Sequence, residues 1–139
     1  MAANTSPIFT LTPNIGFARG VAANTASDGS GTIYTVFTAG ADGSRLDRIT
    51  ARNSQITAAA STAMVIRVYI SDTAGANYRL YAEQAMATAT RSTTAVGATT
   101  TFNFIGGLIL ASGQLVAVSQ SAYAGAQDQM DYIAEGGDF

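Results

Sequence analysis

The stretch STAMVIRVYISD, residues 61–72, leaves the backbone little choice. Met64, Ile66, Val68 and Ile70 fall on one side of a period-two repeat, and Val65, Arg67 and Tyr69 fall on the other. β-branched and aromatic residues with that period fit a pleated strand, where successive side chains point to opposite faces. The same alternation recurs in short runs. Residues 32–38 set Ile33, Thr35 and Phe37 against Tyr34 and Val36. Residues 46–52 set Leu46, Arg48 and Thr50 against Asp47, Ile49 and Ala51, with Ile49 inward and Arg48 and Arg52 outward. Residues 77–83 set Tyr78, Leu80 and Ala82 against Arg79, Tyr81 and Glu83. A helix over LYAEQAMATA is compatible with its Ala, Gln, Met and Glu, but the Thr-rich sequence that follows favours a strand. Phe102 and Phe104 share a face, and residues 114–119 and 129–134 read as the last two strands.

Turn signals separate these runs: NTASDGSGT, AGADGSR, SDTAGANY and the Ser112-Gly113 pair. Asp-Gly steps are turn pairs because Asp tolerates and Gly permits a positive φ. The polar stretch TATRSTTAVGATT reads as a long surface loop. Seven or eight short strands in 139 residues, with no crossover helices for a parallel sheet, predict one all-β domain. The expected architecture is an antiparallel β-sandwich, with the jelly roll as one topology it admits. Strand order cannot be read from the runs. Residues 1–22, with Ser6-Pro7, the apolar Ile8, Phe9 and Leu11, and Thr12-Pro13-Asn14, read as an extended N-terminal arm or an edge strand. Residues 23–135 form the predicted sandwich, and residues 136–139 a short C-terminal tail.

Composition narrows the chemistry. The chain has no Cys, no His and, since its seven cations are all Arg, no Lys. Disulfides, thiolate nucleophiles and the usual zinc sites are excluded, and a serine nucleophile lacks both common bases. A net charge of -2 without clustered cations argues against nucleic acid. No run of some 18 apolar residues predicts a membrane helix, and MAANTSPIFT lacks the pattern of a signal peptide. No cofactor and no metal are expected. The two Asp-Gly-Ser steps, at Asp28 and Asp42, lack the ligand spacing of a calcium loop. GSGT at residues 29–32 lacks the lysine of a phosphate loop. The C-terminal EGGDF only approximates the GGDEF motif of nucleotide cyclases, which needs a further glutamate and a larger α/β domain. Glu83, Asp131 and Glu135 are the carboxylates open to a glycosidase reading, but their spacing places no two of them across a cleft. The expectation is therefore a non-enzymatic protein.

Only 12% of the residues are charged, which suits a chain that hides surface in an assembly better than a free monomer. Candidate interface residues are Phe9 and Phe17 on the arm, Arg67, Tyr69, Tyr78, Arg79 and Tyr81 on adjacent strands, and Asp138 and Phe139 on the tail. Tyr and Arg are enriched where proteins meet. Arg67 sits mid-strand and needs a carboxylate or backbone carbonyls, within the chain or across a subunit boundary.

IYTVFTAGADGSRLDRIT at residues 33–50, with TPNIGFARGVAAN, VIRVYISD and the final AEGGDF, resembles small structural proteins of tailed bacteriophages and prophages. The resemblance spans most of the chain and is strongest at TVFTAGADGS and GGDF. It implies a virion protein made in the bacterial host cytoplasm. A capsid decoration, or cement, protein of the phage head is the first reading: β-rich, homo-oligomeric with a trimer favoured, and bound to the major capsid protein or other virion proteins. A host-surface or glycan-binding module of a head or tail fibre is the alternative, resting on the Tyr and Arg content of residues 64–83.

Overall fold

The computed structural model describes residues 9–55 and 59–139. The start of the expected arm, with Ser6-Pro7 and Ile8, lies outside the described residues. Eight strands are present among those described: β1 (Thr12–Gly20), β2 (Tyr34–Thr38), β3 (Ser44–Asn53), β4 (Met64–Ile70), β5 (Arg79–Met86), β6 (Thr99–Leu110), β7 (Leu115–Gln120) and β8 (Met130–Asp138). A single 3-10 turn over Ala126–Asp128 precedes β8. LYAEQAMATA is strand rather than helix through Met86.

The strands form two four-stranded sheets, in the orders β1-β8-β3-β6 and β2-β7-β4-β5, and every pair is antiparallel. Only β4 and β5 are neighbours both in sequence and in a sheet; the other connections pass from one sheet to the other. This is the strand order of an eight-stranded jelly roll, which buries the inner faces of both sheets against each other. The core contains Val36, Phe37, Leu46, Ile49, Met64, Ile66, Val68, Phe102, Leu110, Val116, Val118, Met130 and Tyr132. At one side β1 crosses β2 so closely that a Cβ on Gly16 would lie 1.7 Å from the Val36 carbonyl oxygen. Glycine is required there by space, not by φ.

Bulges change which residues face inward. Strict alternation puts Leu46 and Ile49 on opposite faces of β3, yet both are buried. The register steps from Leu46↔Gly136 to Arg48↔Glu135, so Asp47 is an extra residue that reverses the alternation. The same device in β2, a shift between Thr35 and Phe37, buries Val36 and Phe37 together.

Residues 24–32 were expected to be only a turn, but the whole segment 21–33 has a further role. It packs on the outer face of the second sheet. Asn24 organises it, donating to Ser30 O at 2.8 Å and Thr32 O at 2.9 Å, while its Oδ1 accepts from Ala26 N. Asp28 closes the tip by accepting from Ser30 N and Ser30 Oγ, and these bonds hold its carboxyl below the usual range. Gly29 there and Gly43 in the second Asp-Gly-Ser step both have φ near +90°, so the two steps act as turns.

The two ends of the chain stand differently against expectation: the first takes the edge-strand alternative, and the last does not form the expected tail. Residues 12–20 of the arm are β1, an edge strand bonded along its length to β8. Residues 136–139 do not form a separate tail. Gly136, Gly137 and Asp138 lie inside β8, paired with β1 on one flank and β3 on the other. A Cβ on Gly136 would meet Arg45 O at 2.2 Å. The glycines thus permit close strand packing rather than a flexible turn.

Candidate interaction surface

The outer face of β1-β8-β3-β6 is organised in rows set by register. One row runs Arg19, Asp131, Arg52 and Thr99; the next Phe17, Ile133, Thr50 and Thr101; the third Ile15, Glu135, Arg48 and Asn103. The outer two rows each contain an ion pair. Arg19 Nε lies 2.7 Å from Asp131 Oδ1, and Arg48 makes a two-armed pair with Glu135. Arg48 holds the Glu135 carboxyl below its usual range by hydrogen bonding and charge. An apolar strip runs along the β1 side of these rows, with Phe17 and Ile133 in the middle row and Ile15 at the end of the third. Phe17 is 71% exposed, and Ile15 and Ile133 are also exposed. The strip continues along the chain to Leu11, 81% exposed, and to Phe9. Leu11 is held in place through its amide, which donates to Asp138 O at 2.7 Å. The result is an ordered apolar ridge along one edge of the sandwich. Exposed apolar area of this kind marks interaction sites more often than it marks chance.

The tyrosines and arginines of β4 and β5 do not gather into one patch. Tyr69 is fully buried beneath the 21–33 segment, its hydroxyl bonded to Ala26 O at 3.0 Å and adjacent to Ser119 Oγ. It is therefore not a surface interface residue. Arg67 finds both of its expected kinds of partner inside the chain: Glu83 Oε2 at 3.3 Å and Asn24 O at 3.2 Å. Its side chain is only 13% exposed. Tyr78 is half-buried against Gly29, and Arg79 donates to the Tyr78 carbonyl. Tyr81 is exposed and meets Phe104 with ring centroids 5.7 Å apart.

Asp138 was expected to reach a neighbouring subunit. Its Oδ1 accepts from Asn14 Nδ2 at 2.7 Å and Ser44 Oγ at 2.5 Å, which lowers its pKa. Phe139 is half-buried, and its amide donates to Gly43 O at 3.2 Å. Both residues are thus occupied within the chain. Phe9 and Phe17 are the sequence-predicted candidates that the fold leaves most open, with Arg79 and Tyr81 exposed elsewhere.

Sequence reasoning passed over Ile105. Between Asn103 and Leu108, β6 carries residues 104–107 opposite the single residue Asp47 of β3. Ile105 stands fully exposed on this outgrowth, followed by Gly106 and Gly107 at φ +83° and +82°. The adjacent glycines were the available signal, since two positive φ values in succession break a strand.

No group of three or more acidic residues suited to a metal occurs among the described residues. The three carboxylates considered for hydrolysis are each paired: Glu83 with Arg67, Asp131 with Arg19 and Glu135 with Arg48. Asp131 and Glu135 lie four residues apart on one strand, or roughly 13 Å at about 3.3 Å per residue. That exceeds the span used by paired glycosidase carboxylates. A general acid also needs a raised pKa, whereas that of Glu135 is lowered. No protein-family model, curated protein or solved structure matches the chain.

Proposed function

We propose that the protein is a structural component of a tailed-bacteriophage head, a decoration protein that stabilises the shell by bridging capsomers as a homotrimer. The observation that carries this reading is the apolar ridge of Phe9, Leu11, Ile15 and Phe17, left uncovered on an ordered sheet edge. The low charge of the chain and its resemblance to small phage structural proteins point the same way. Jelly rolls occur in capsid proteins, but they also serve lectins and cupins, so the fold alone does not select a function.

In this reading the ridge meets the shell. Each large apolar side chain contributes about 1.5–3 kcal/mol on complete burial, offset by the costs of association. Contacts made only in the assembled state stabilise that state by mass action. The ion-pair rows beside the ridge set orientation more than affinity.

Sedimentation velocity of the purified chain, followed by pelleting with undecorated heads, tests the proposal. The wild type is expected to sediment as a trimer and to pellet with heads at micromolar concentration. The Ile15→Arg/Phe17→Arg double variant, folded by circular dichroism, should lose head binding. A strict monomer without head affinity overturns the reading, and unchanged binding of the double variant removes the ridge from it.

A further inference from the structure

A cleft of about 510 Å³ opens beside the end of β3, two strands across the sheet from β1. Arg52 of β3 and Arg91 line it, together with the hydroxyl-bearing Ser92, Thr93, Thr94 and Thr99. No acidic side chain lines it. In a chain whose net charge is -2, this brings two arginines together; the carboxylates nearest them, Asp131 and Glu135 in the adjoining groove, are paired with Arg19 and Arg48.

Arg52 and Arg91, like the exposed Arg79 of β5, have no ion pair among the described residues. Arg19, Arg45, Arg48 and Arg67 each lie within ion-pair distance of a carboxylate. Among the described residues, the Arg52 side chain, exposed on the sheet, has neither a hydrogen bond nor an ion pair. Asp131 stands beside it in register but is engaged by Arg19. Arg91 donates from Nη1 to Asn53 O at 2.8 Å, while its Nε is buried without a hydrogen-bond partner. A buried donor without an acceptor costs stability unless a bound group supplies one.

The cleft is built rather than loose. Ser92 Oγ accepts from Thr94 N and Ala95 N, and Ser92 N donates to Ala95 O. Asn53 N donates to Ala98 O, which fastens the far end of the loop to β3. These bonds fix the loop, and Asn53 O holds one arm of Arg91, so a ligand would have chiefly the Arg52 side chain left to order.

We propose that this cleft binds a small hydroxylated molecule through an oxyanion, as in a sugar acid or a sugar phosphate. A guanidinium presents a planar fork of donors that matches a carboxylate or phosphate. The loop hydroxyls can both donate to and accept from ligand hydroxyl groups. A cleft of this volume lies within the range of small-ligand sites. The cleft shares no lining residue with Phe9, Leu11, Ile15 or Phe17, so variants of the cleft and of the ridge can be tested separately.

Titration of the full-length chain with glucuronate, glucose 6-phosphate and glucose, followed by ¹⁵N NMR and calorimetry, tests it. Saturable binding of either acidic ligand, with shifts at residues 91–99, is expected, and glucose should bind at least about tenfold more weakly. The two acidic ligands distinguish a carboxylate from a phosphate source. Arg52→Gln should weaken binding by about tenfold or more, with an unchanged melting temperature because the Arg52 side chain makes no bond among the described residues. Arg91→Gln serves as a second variant, and its melting temperature reports any loss of the tether to Asn53. Absence of saturable binding by both acids up to about 20 mM, a range that covers millimolar affinity, overturns the proposal. So does equal affinity of the Arg52→Gln variant, or equal affinity for glucose.

Discussion

Asn14 donates its side-chain amide to Asp138 at 2.7 Å, and that bond joins the first strand of the sandwich to the last. Ser44 adds a second donor to the same carboxylate oxygen. One aspartate thus links β1, β8 and the start of β3. Because hydrogen bonds from Ser44 and Asn14 lower its folded pKa, the ionised form is favoured in the fold. The stabilisation is present above the unfolded carboxylate value of about 4 and is lost as pH falls through the lower folded value. Asp28, Asp72 and Glu135 are shifted in the same direction. Thermal unfolding followed from pH 7 to pH 2 should show falling stability below about pH 4. Asp138→Asn should flatten part of that slope. An identical slope in the variant would mean that Asp138 contributes nothing to it.

Truncation after Glu135 should destabilise the isolated chain. It removes Gly136, Gly137 and Asp138, which pair with β1 and β3 on opposite flanks. Several backbone bonds disappear, each contributing about 0.5–1.5 kcal/mol net, for a loss of roughly 3–5 kcal/mol. Urea denaturation of the two lengths measures the difference. Equal midpoints would indicate that the last strand residues are dispensable.

Asp128 is fully buried, and its two oxygens accept from Thr62 N and Ala124 N, both at 2.6 Å. It fastens the segment before β4 to the loop before β8. Asp128→Ala leaves both amides without this acceptor and should cost about 2–4 kcal/mol. Asp128→Asn keeps one acceptor oxygen and should cost less. Denaturant midpoints of the two variants test that order.

Tyr69 provides a test of how the 21–33 segment is held. Tyr69→Phe removes the bond to Ala26 O and should cost about 0.5–1.5 kcal/mol. Tyr69→Ala also empties a buried ring site, for about 3–5 kcal/mol. Hydrogen exchange should accelerate at residues 21–33 in both variants. Unchanged exchange there would show that Tyr69 does not anchor the segment.

The local pattern made the strands legible. Alternation in MVIRVYI and YTVFT, and the Asp-Gly turns between strands, follow from side-chain geometry within a few residues, so all-β architecture could be read directly. For the site, Phe9 and Phe17 could be named from the sequence as large apolar residues of the first segment, but their exposure could not be read, since Phe9, Leu11, Ile15 and Phe17 alternate in a way that equally fits a face docked on the core. Nor could the burial of Tyr69, since it shares a strand face with Arg67 and looked equally available.

By itself, then, the sequence determined the strand-and-turn pattern and, by lacking His, Lys and Cys, excluded most nucleophilic and zinc chemistry. The tertiary structure decided which residues remain on the surface. The 21–33 segment covers Tyr69, more than thirty positions further along the chain. The extra Asp47 in β3 turns Leu46 and Ile49 to the same core. β8 lies between β1 and β3, so the Gly-Gly-Asp end is locked inside a sheet instead of hanging free. Each outcome depends on pairing between distant segments. Side-chain period is a local property, whereas register and burial are settled only when those segments meet.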